Sequence, residues 1–212
     1  MNNIDFDSRC KWADALVQEA ITWYKKAGEA LDGSKKIEFY KELAKKGYPV
    51  FYFEVGYAYY FGKGVEENEP EAVKWFKNGA EGENREAQCR LGECYLHGRG
   101  IEKDLQLARQ WYEKSAEQGY GLAQYNMGMI YLKGKGVDVD AETAAMWLIK
   151  AAENGRADAK VELGELYEHG NGVEEDLEKA FELYEESAED GNAKGMFNAA
   201  RFYEEGPSRR ER

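Results

Sequence analysis

A 36-residue period constrains this chain more than any other feature. The stretch AQYNMGMIYLKGKGVDVDAETAAMWLIKAAENG from Ala123 to Gly155 is preceded 36 residues earlier by AQCRLGECYLHGRGIEKDLQLARQWYEKSAEQG from Ala87. It is followed 36 residues later by AKVELGELYEHGNGVEEDLEKAFELYEESAEDG from Ala159. A fixed period of this size marks stacked supersecondary units, each unable to bury its apolar face without a neighbour. Each copy reads as two short helices joined by a glycine loop. Full copies run over 48–83, 84–119, 120–155 and 156–191. A degenerate first copy occupies 12–47, with Ala20, Gly28, Phe39, Tyr40, Ala44 and Gly47 in the places of Gly56, Gly64, Trp75, Phe76, Ala80 and Glu83. A single helix over 192–205 opens a sixth. Because such an array grows by adding units, 1–206 is counted as one domain, with 1–11 as an expendable lead-in and 207–212 as a disordered tail.

Within a copy, the first helix carries a small residue, Leu-Gly and Tyr, as in Ala87, Leu91, Gly92 and Tyr95, which makes a stripe that faces a partner helix. The interior glycine costs about 1 kcal/mol against alanine, so its return at Gly56, Gly92, Gly128 and Gly164 implies close helix approach. Glycine pairs (Gly62 and Gly64, Gly98 and Gly100, Gly134 and Gly136, Gly170 and Gly172) end the first helices where positive φ is needed. They follow a helix and lack the strand and Lys-Ser/Thr context of a phosphate-binding loop. Asn68, Asp104, Asp140 and Asp176 stand as N-caps of the second helices, and Pro70 falls in a first turn. Ala72, Trp75, Phe76 and Ala80, with their counterparts Ala108, Trp111, Tyr112 and Ala116, read as the buried face of the second helix.

Apolar residues at 43%, with 15 Tyr and 5 Trp, supply a core despite a mean hydropathy of -0.77. A net charge of -12 argues against nucleic acid, whose binding needs clustered Lys and Arg. The N-terminus lacks a signal-peptide core and no stretch approaches the length of a membrane span, so a cytoplasmic location is expected. Cys89 and Cys94, five residues apart on one helix, would have Cα atoms about 8 to 9 Å apart, beyond disulfide reach, and with Cys10 they fit a reducing compartment. Cys89, Cys94 and His97 do not converge as zinc ligands, because Cys89 points about 140° away from Cys94. Neither a metal nor a cofactor is expected.

The pattern Ala-x3-Leu-Gly-x2-Tyr-x2-Gly-x-Gly-Val-x3-Asp-x3-Ala-x2-Trp-Tyr-x3-Ala-x2-Gly, read in Ala87 to Gly119 with Ile101 in the Val place, resembles the Sel1-like repeat, a relative of the tetratricopeptide repeat. Departures are Glu83 for the terminal glycine, Leu183 for Trp, and Ala199-Ala200 for Leu-Gly. The resemblance implies an all-α fold, an α/α superhelical solenoid of helix-loop-helix repeats, and a non-catalytic adaptor or scaffold that binds proteins. One branch of the family is cysteine-rich, secreted and associated with β-lactam binding or hydrolysis; this chain lacks its paired cysteines. An enzyme of that kind would also need a nucleophile with a base beside it, whereas Ser115 and Ser187 take a small core position. Under this resemblance the first helices line a concave surface. Its lining positions are Glu54, Tyr57 and Phe61, then Arg90, Glu93 and His97, then Asn126, Met129 and Lys133, then Glu162, Glu165 and His169, and last Asn198 and Arg201. Tyr57, Phe61 and Met129 are the expected apolar anchors, while Asn126 and Asn198 have a second role open to them, bonding to the neighbouring repeat. Twelve acidic residues between 162 and 190 stand against Lys179 alone, which favours a peptide or protein partner with basic residues. A monomer is expected, with a weak end-to-end dimer through Met196, Phe197 and Tyr203 as the alternative.

Overall fold

The computed structural model describes residues 33–205, together with residues 19, 22 and 26. The lead-in, Trp12, Ala20, Gly28 and the tail 207–212 lie outside the described residues. Among the described residues the chain is an all-α solenoid of ten helices. They are α1 (Gly33–Lys45), α2 (Pro49–Phe61), α3 (Glu69–Glu81), α4 (Arg85–His97), α5 (Leu105–Glu117), α6 (Gly121–Lys133), α7 (Ala141–Glu153), α8 (Ala157–His169), α9 (Leu177–Glu189) and α10 (Ala193–Glu205). None of them is long and apolar enough to cross a membrane. The chain groups into two compact units, Met1–Ala87 and Gln88–Arg212, with the boundary in the first turn of α4.

The loop chemistry determines where helices stop and start. Gly62, Gly134 and Gly170 end α2, α6 and α8 at φ between 60° and 65°, the left-handed conformation that a side chain resists. Six residues further on, the second helix is capped. The Asn68 side chain accepts from the Glu71 amide, Asp104 from Gln106 and Leu107, Asp140 from Thr143, and Asp176 from Lys179. Glu83, in the place of a terminal glycine, takes up the same left-handed backbone at φ 60°.

In the first unit α1 packs on α2 and α2 on α3, around Tyr40, Leu43, Phe51 and Val55. Gly56 lets the helices close: a Cβ there would lie 2.6 Å from the Phe76 ring. In the second unit α5 to α10 pack in chain order around Tyr112, Met127 and Ile130, and then Leu148, Leu163, Tyr184 and Phe202. Gly164 against Tyr184 repeats the 2.6 Å approach. The buried member of the second-helix pair is therefore the second one, Phe76, Tyr112, Leu148 or Tyr184. Trp75, Trp111 and Trp147 are only half-buried, which corrects the expectation of a fully buried tryptophan. They form a rim, where Lys114 and Lys150 stack over the Trp111 and Trp147 rings at 4.4 and 4.6 Å.

Each copy of the second unit is also braced inside itself by a polar rung spanning thirty residues. Gln118 Nε2 donates to Gln88 Oε1 at 2.8 Å, Asn154 Nδ2 to Gln124 Oε1 at 2.8 Å, and Lys160 Nζ to Asp190 Oδ2 at 2.9 Å.

Candidate functional site

Burying one side of each first helix turns another side outward. On α4, Ala87, Leu91 and Cys94 are buried and Cys89 packs with the next copy, which leaves Arg90 and Glu93 half-buried and His97 exposed. The face formed by these positions differs in character between the two units.

In the first unit the face is aromatic. Tyr57 lies 5.8 Å from Phe53 and 4.5 Å from Phe61, ring centre to ring centre, and Phe61 packs on Tyr60 at 4.8 Å. Phe61 remains 42% exposed. Lys63 reaches over both rings, 4.8 Å from Tyr57 and 5.9 Å from Phe61. Glu54, one turn before Tyr57, is half-buried; burial pushes its carboxyl above the usual range, against the pull of Lys36 and with Glu86 adding to it. The sequence pattern omitted Phe53 and Lys63, although Phe53 stands four residues from Tyr57 and so on the same helix face.

In the second unit the lining is largely committed to internal bonds. Arg90 pairs with Glu93 at 2.6 Å, and Asn126 Nδ2 donates to Cys89 Sγ at 3.9 Å, the bond to the neighbouring repeat that was its second role. Met129 is half-buried and Lys133 exposed. Glu162 and Glu165 both hold Lys194 of α10, at 3.1 and 2.9 Å. His169 Nδ1 lies 2.8 Å from the Glu165 carbonyl. Arg201 grips Glu168 through two bonds of 2.8 and 2.7 Å, and Glu168 also accepts from the Tyr184 hydroxyl at 2.8 Å. Asn198 is buried, so it does not belong to the exposed face. Of the twelve acidic residues expected to recruit a basic partner at this end, Glu162, Glu165 and Glu168 are met by the chain's own Lys194 and Arg201. These partners sit 29 to 33 residues on, one repeat later and several residues back, a spacing the alignment of copies could have exposed.

Ser115, Ser187, Cys89 and Cys94 are withdrawn from the surface. Ser115 and Ser187 are fully buried, and the Ser187 hydroxyl donates to the Ala157 carbonyl at 2.7 Å. Burial pushes the Cys89 thiol up to about 12, which keeps it protonated and a poor nucleophile. Cys94 is likewise a buried thiol. Among the described residues no three His, Cys, Asp or Glu side chains are grouped to hold a metal ion.

The Sel1 repeat family model matches residues 16–30, 49–84, 85–120, 121–155 and 157–192. Among solved structures, a Sel1 repeat protein from Oxalobacter formigenes is 32% identical with a TM-score of 0.75, the match covering 80% of this chain and 68% of that one. The protective antigen c5321 of uropathogenic Escherichia coli, which displays an SLR fold, is 30% identical with a TM-score of 0.81, over 95% of this chain and 43% of its own length. The immunity protein Pa5087 of Pseudomonas aeruginosa shares the fold at 21% identity and a TM-score of 0.58, over 84% of this chain and 69% of that one. No curated protein matches.

Proposed function

The chain belongs to the Sel1 repeat family, and from that premise we propose that it is a non-catalytic scaffold that binds a peptide or protein segment along the face of its first helices. The observation that carries this reading is the contrast between positions. Those that pack repeat from copy to copy, whereas the outward ones change from Glu54, Tyr57 and Phe61 to Arg90, Glu93 and His97, and then to Asn126, Met129 and Lys133. A constant frame with a variable lining suits the reading of an irregular ligand, with exposed aromatic side chains as anchors. Tyr57 and Phe61 are the principal anchors. A basic residue of the partner meets Glu54, since Glu162 and Glu165 already hold Lys194. The buried thiols accord with a reducing, cytoplasmic setting.

The test is affinity capture from a native lysate with the wild type, Tyr57→Ala/Phe61→Ala and Glu162→Gln/Glu165→Gln, each checked for helicity. The aromatic double variant should lose the captured partners and the carboxamide variant should keep them. Equal recovery by all three would refute the first-helix face as the binding surface. A nitrocefin assay should be blank, and turnover above background would overturn the non-catalytic reading.

A further inference from the structure

We propose, on the basis of the peptide-binding reading above, that the residue this chain selects in its partner is an arginine, whose guanidinium stacks on the aromatic face of α2 and pairs with the Glu54 carboxylate. Glu54 and its aromatic neighbours belong to one unit and one helix.

The repeat shows what is missing at this position. Three periods on, Glu54, Tyr57 and Glu86 correspond to Glu162, Glu165 and Lys194. There the chain completes its own ion cluster: Lys194, the second residue of α10, is held by Glu162 at 3.1 Å and by Glu165 at 2.9 Å. In the first unit the second residue of α4 is Glu86, so a carboxylate stands where the cation would be. The copies between satisfy the same position internally, Arg90 with Glu93 and Asn126 with Cys89. Glu54 is left half-buried, with no hydrogen bond or ion pair to it among the described residues. Lys36, whose charge eases it, lies over the Tyr40 ring at 5.5 Å, and Arg85 Nε donates to Glu86 at 3.2 Å. Burial and repulsion from Glu86 both work against the Glu54 charge. A cation brought by a partner relieves what the unit's own side chains leave unrelieved.

Tyr57 in the place of Glu165 decides which cation fits. An ammonium takes two carboxylates, as Lys194 does. One carboxylate beside an aromatic ring suits a planar guanidinium instead, which sends two parallel N–H groups to the carboxylate while its plane lies on the ring. Tyr57 stands three residues from Glu54 and Phe61 four from Tyr57, so carboxylate and rings share one side of α2. The rings already draw a cation of the chain itself, since Lys63 Nζ lies 4.8 Å from the centre of Tyr57 and 5.9 Å from that of Phe61. Lys63 is exposed, so an arriving arginine can displace its ammonium into water.

The test offers the whole chain four degenerate peptide libraries that differ only in one fixed central residue, Arg, Lys, citrulline or Leu, with binding read by fluorescence polarisation. The Arg library should bind ~10-fold or more tighter than the citrulline library, which keeps the shape and loses the charge, and tighter than the Lys library by a smaller factor. Glu54→Gln should abolish the difference between Arg and citrulline. Circular dichroism and melting of that variant, expected to match the wild type or exceed it, separate the loss from unfolding. Lys63→Gln, which removes the competing ammonium, should raise the affinity for the Arg library. Equal binding of Arg and citrulline by the wild type overturns the proposal, whether that binding is strong or absent. So does an Arg preference that survives Glu54→Gln, and so does a preference for Lys over Arg. The scaffold reading is judged separately by lysate capture: partners lost by Tyr57→Ala/Phe61→Ala, with no Arg preference in the libraries, would keep that reading and discard the arginine.

Discussion

A methyl group added at position 164 would lie 2.6 Å from Cε1 of Tyr184, a side chain with no exposed surface and no room to turn. Gly164→Ala should therefore lose about 1 to 3 kcal/mol in urea unfolding, even though alanine is the better helix former. Glu83 presents the opposite situation. It holds a left-handed backbone that glycine adopts freely, so Glu83→Gly should be stabilising, by under ~1 kcal/mol. The second-helix pair gives a contrast between adjacent residues. Tyr112→Ala removes a buried ring and should cost about 3 to 5 kcal/mol, whereas Trp111→Ala, on the rim, should cost less than half as much. Spacing alone cannot separate these two, because neighbours on a helix differ by only about 100° and both fall near the edge of the same apolar face.

At the scale of the element, helix starts were legible because a cap needs one residue type at one offset from the glycine pair, and all four caps formed. Asp104 accepts from two amides, so Asp104→Ala should lower stability by about 1 kcal/mol, measured by thermal and urea unfolding together. The lining was legible as a set of outward positions but not as a set of available ones. Whether Glu162 can meet a ligand depends on Lys194, thirty-two residues on, and whether Arg201 can do so depends on Glu168. Charge counted along the chain sees twelve acids. Charge counted across neighbouring helices sees five of them paired, Glu162 and Glu165 with Lys194, Glu168 with Arg201, and Glu186 and Asp190 with Lys160.

Two half-buried carboxylates, one in each unit, respond to pH with opposite sign. Burial raises the Glu54 carboxyl in the first unit, so folding favours its protonated form; that contribution is present below the ordinary value of 4.5 and is lost as pH rises through the folded value. Glu54→Gln should accordingly match or exceed wild-type stability at pH 7. In the second unit burial also acts to raise Glu168, but the bonds from Arg201 and Tyr184 outweigh it and hold the carboxyl below its ordinary value of 4.5. Its contribution is complete above that value and disappears as pH falls through the lower folded one. Melting temperatures followed from neutral to acid pH should show wild type falling toward Glu168→Gln, and a gap that does not narrow would refute the assignment. The thirty-residue rungs carry a different consequence, for how such a chain can change its length. Each rung opens and closes within a single copy, from Gln88 to Gln118, Gln124 to Asn154 and Lys160 to Asp190. Excising 120–155 would therefore remove one brace whole and orphan neither of the other two, while a cut of half that length would strand a buried amide. Copies of this kind behave as cassettes, so that insertion and loss proceed in whole periods, and the 36-residue rhythm is kept by the polar groups as much as by the core.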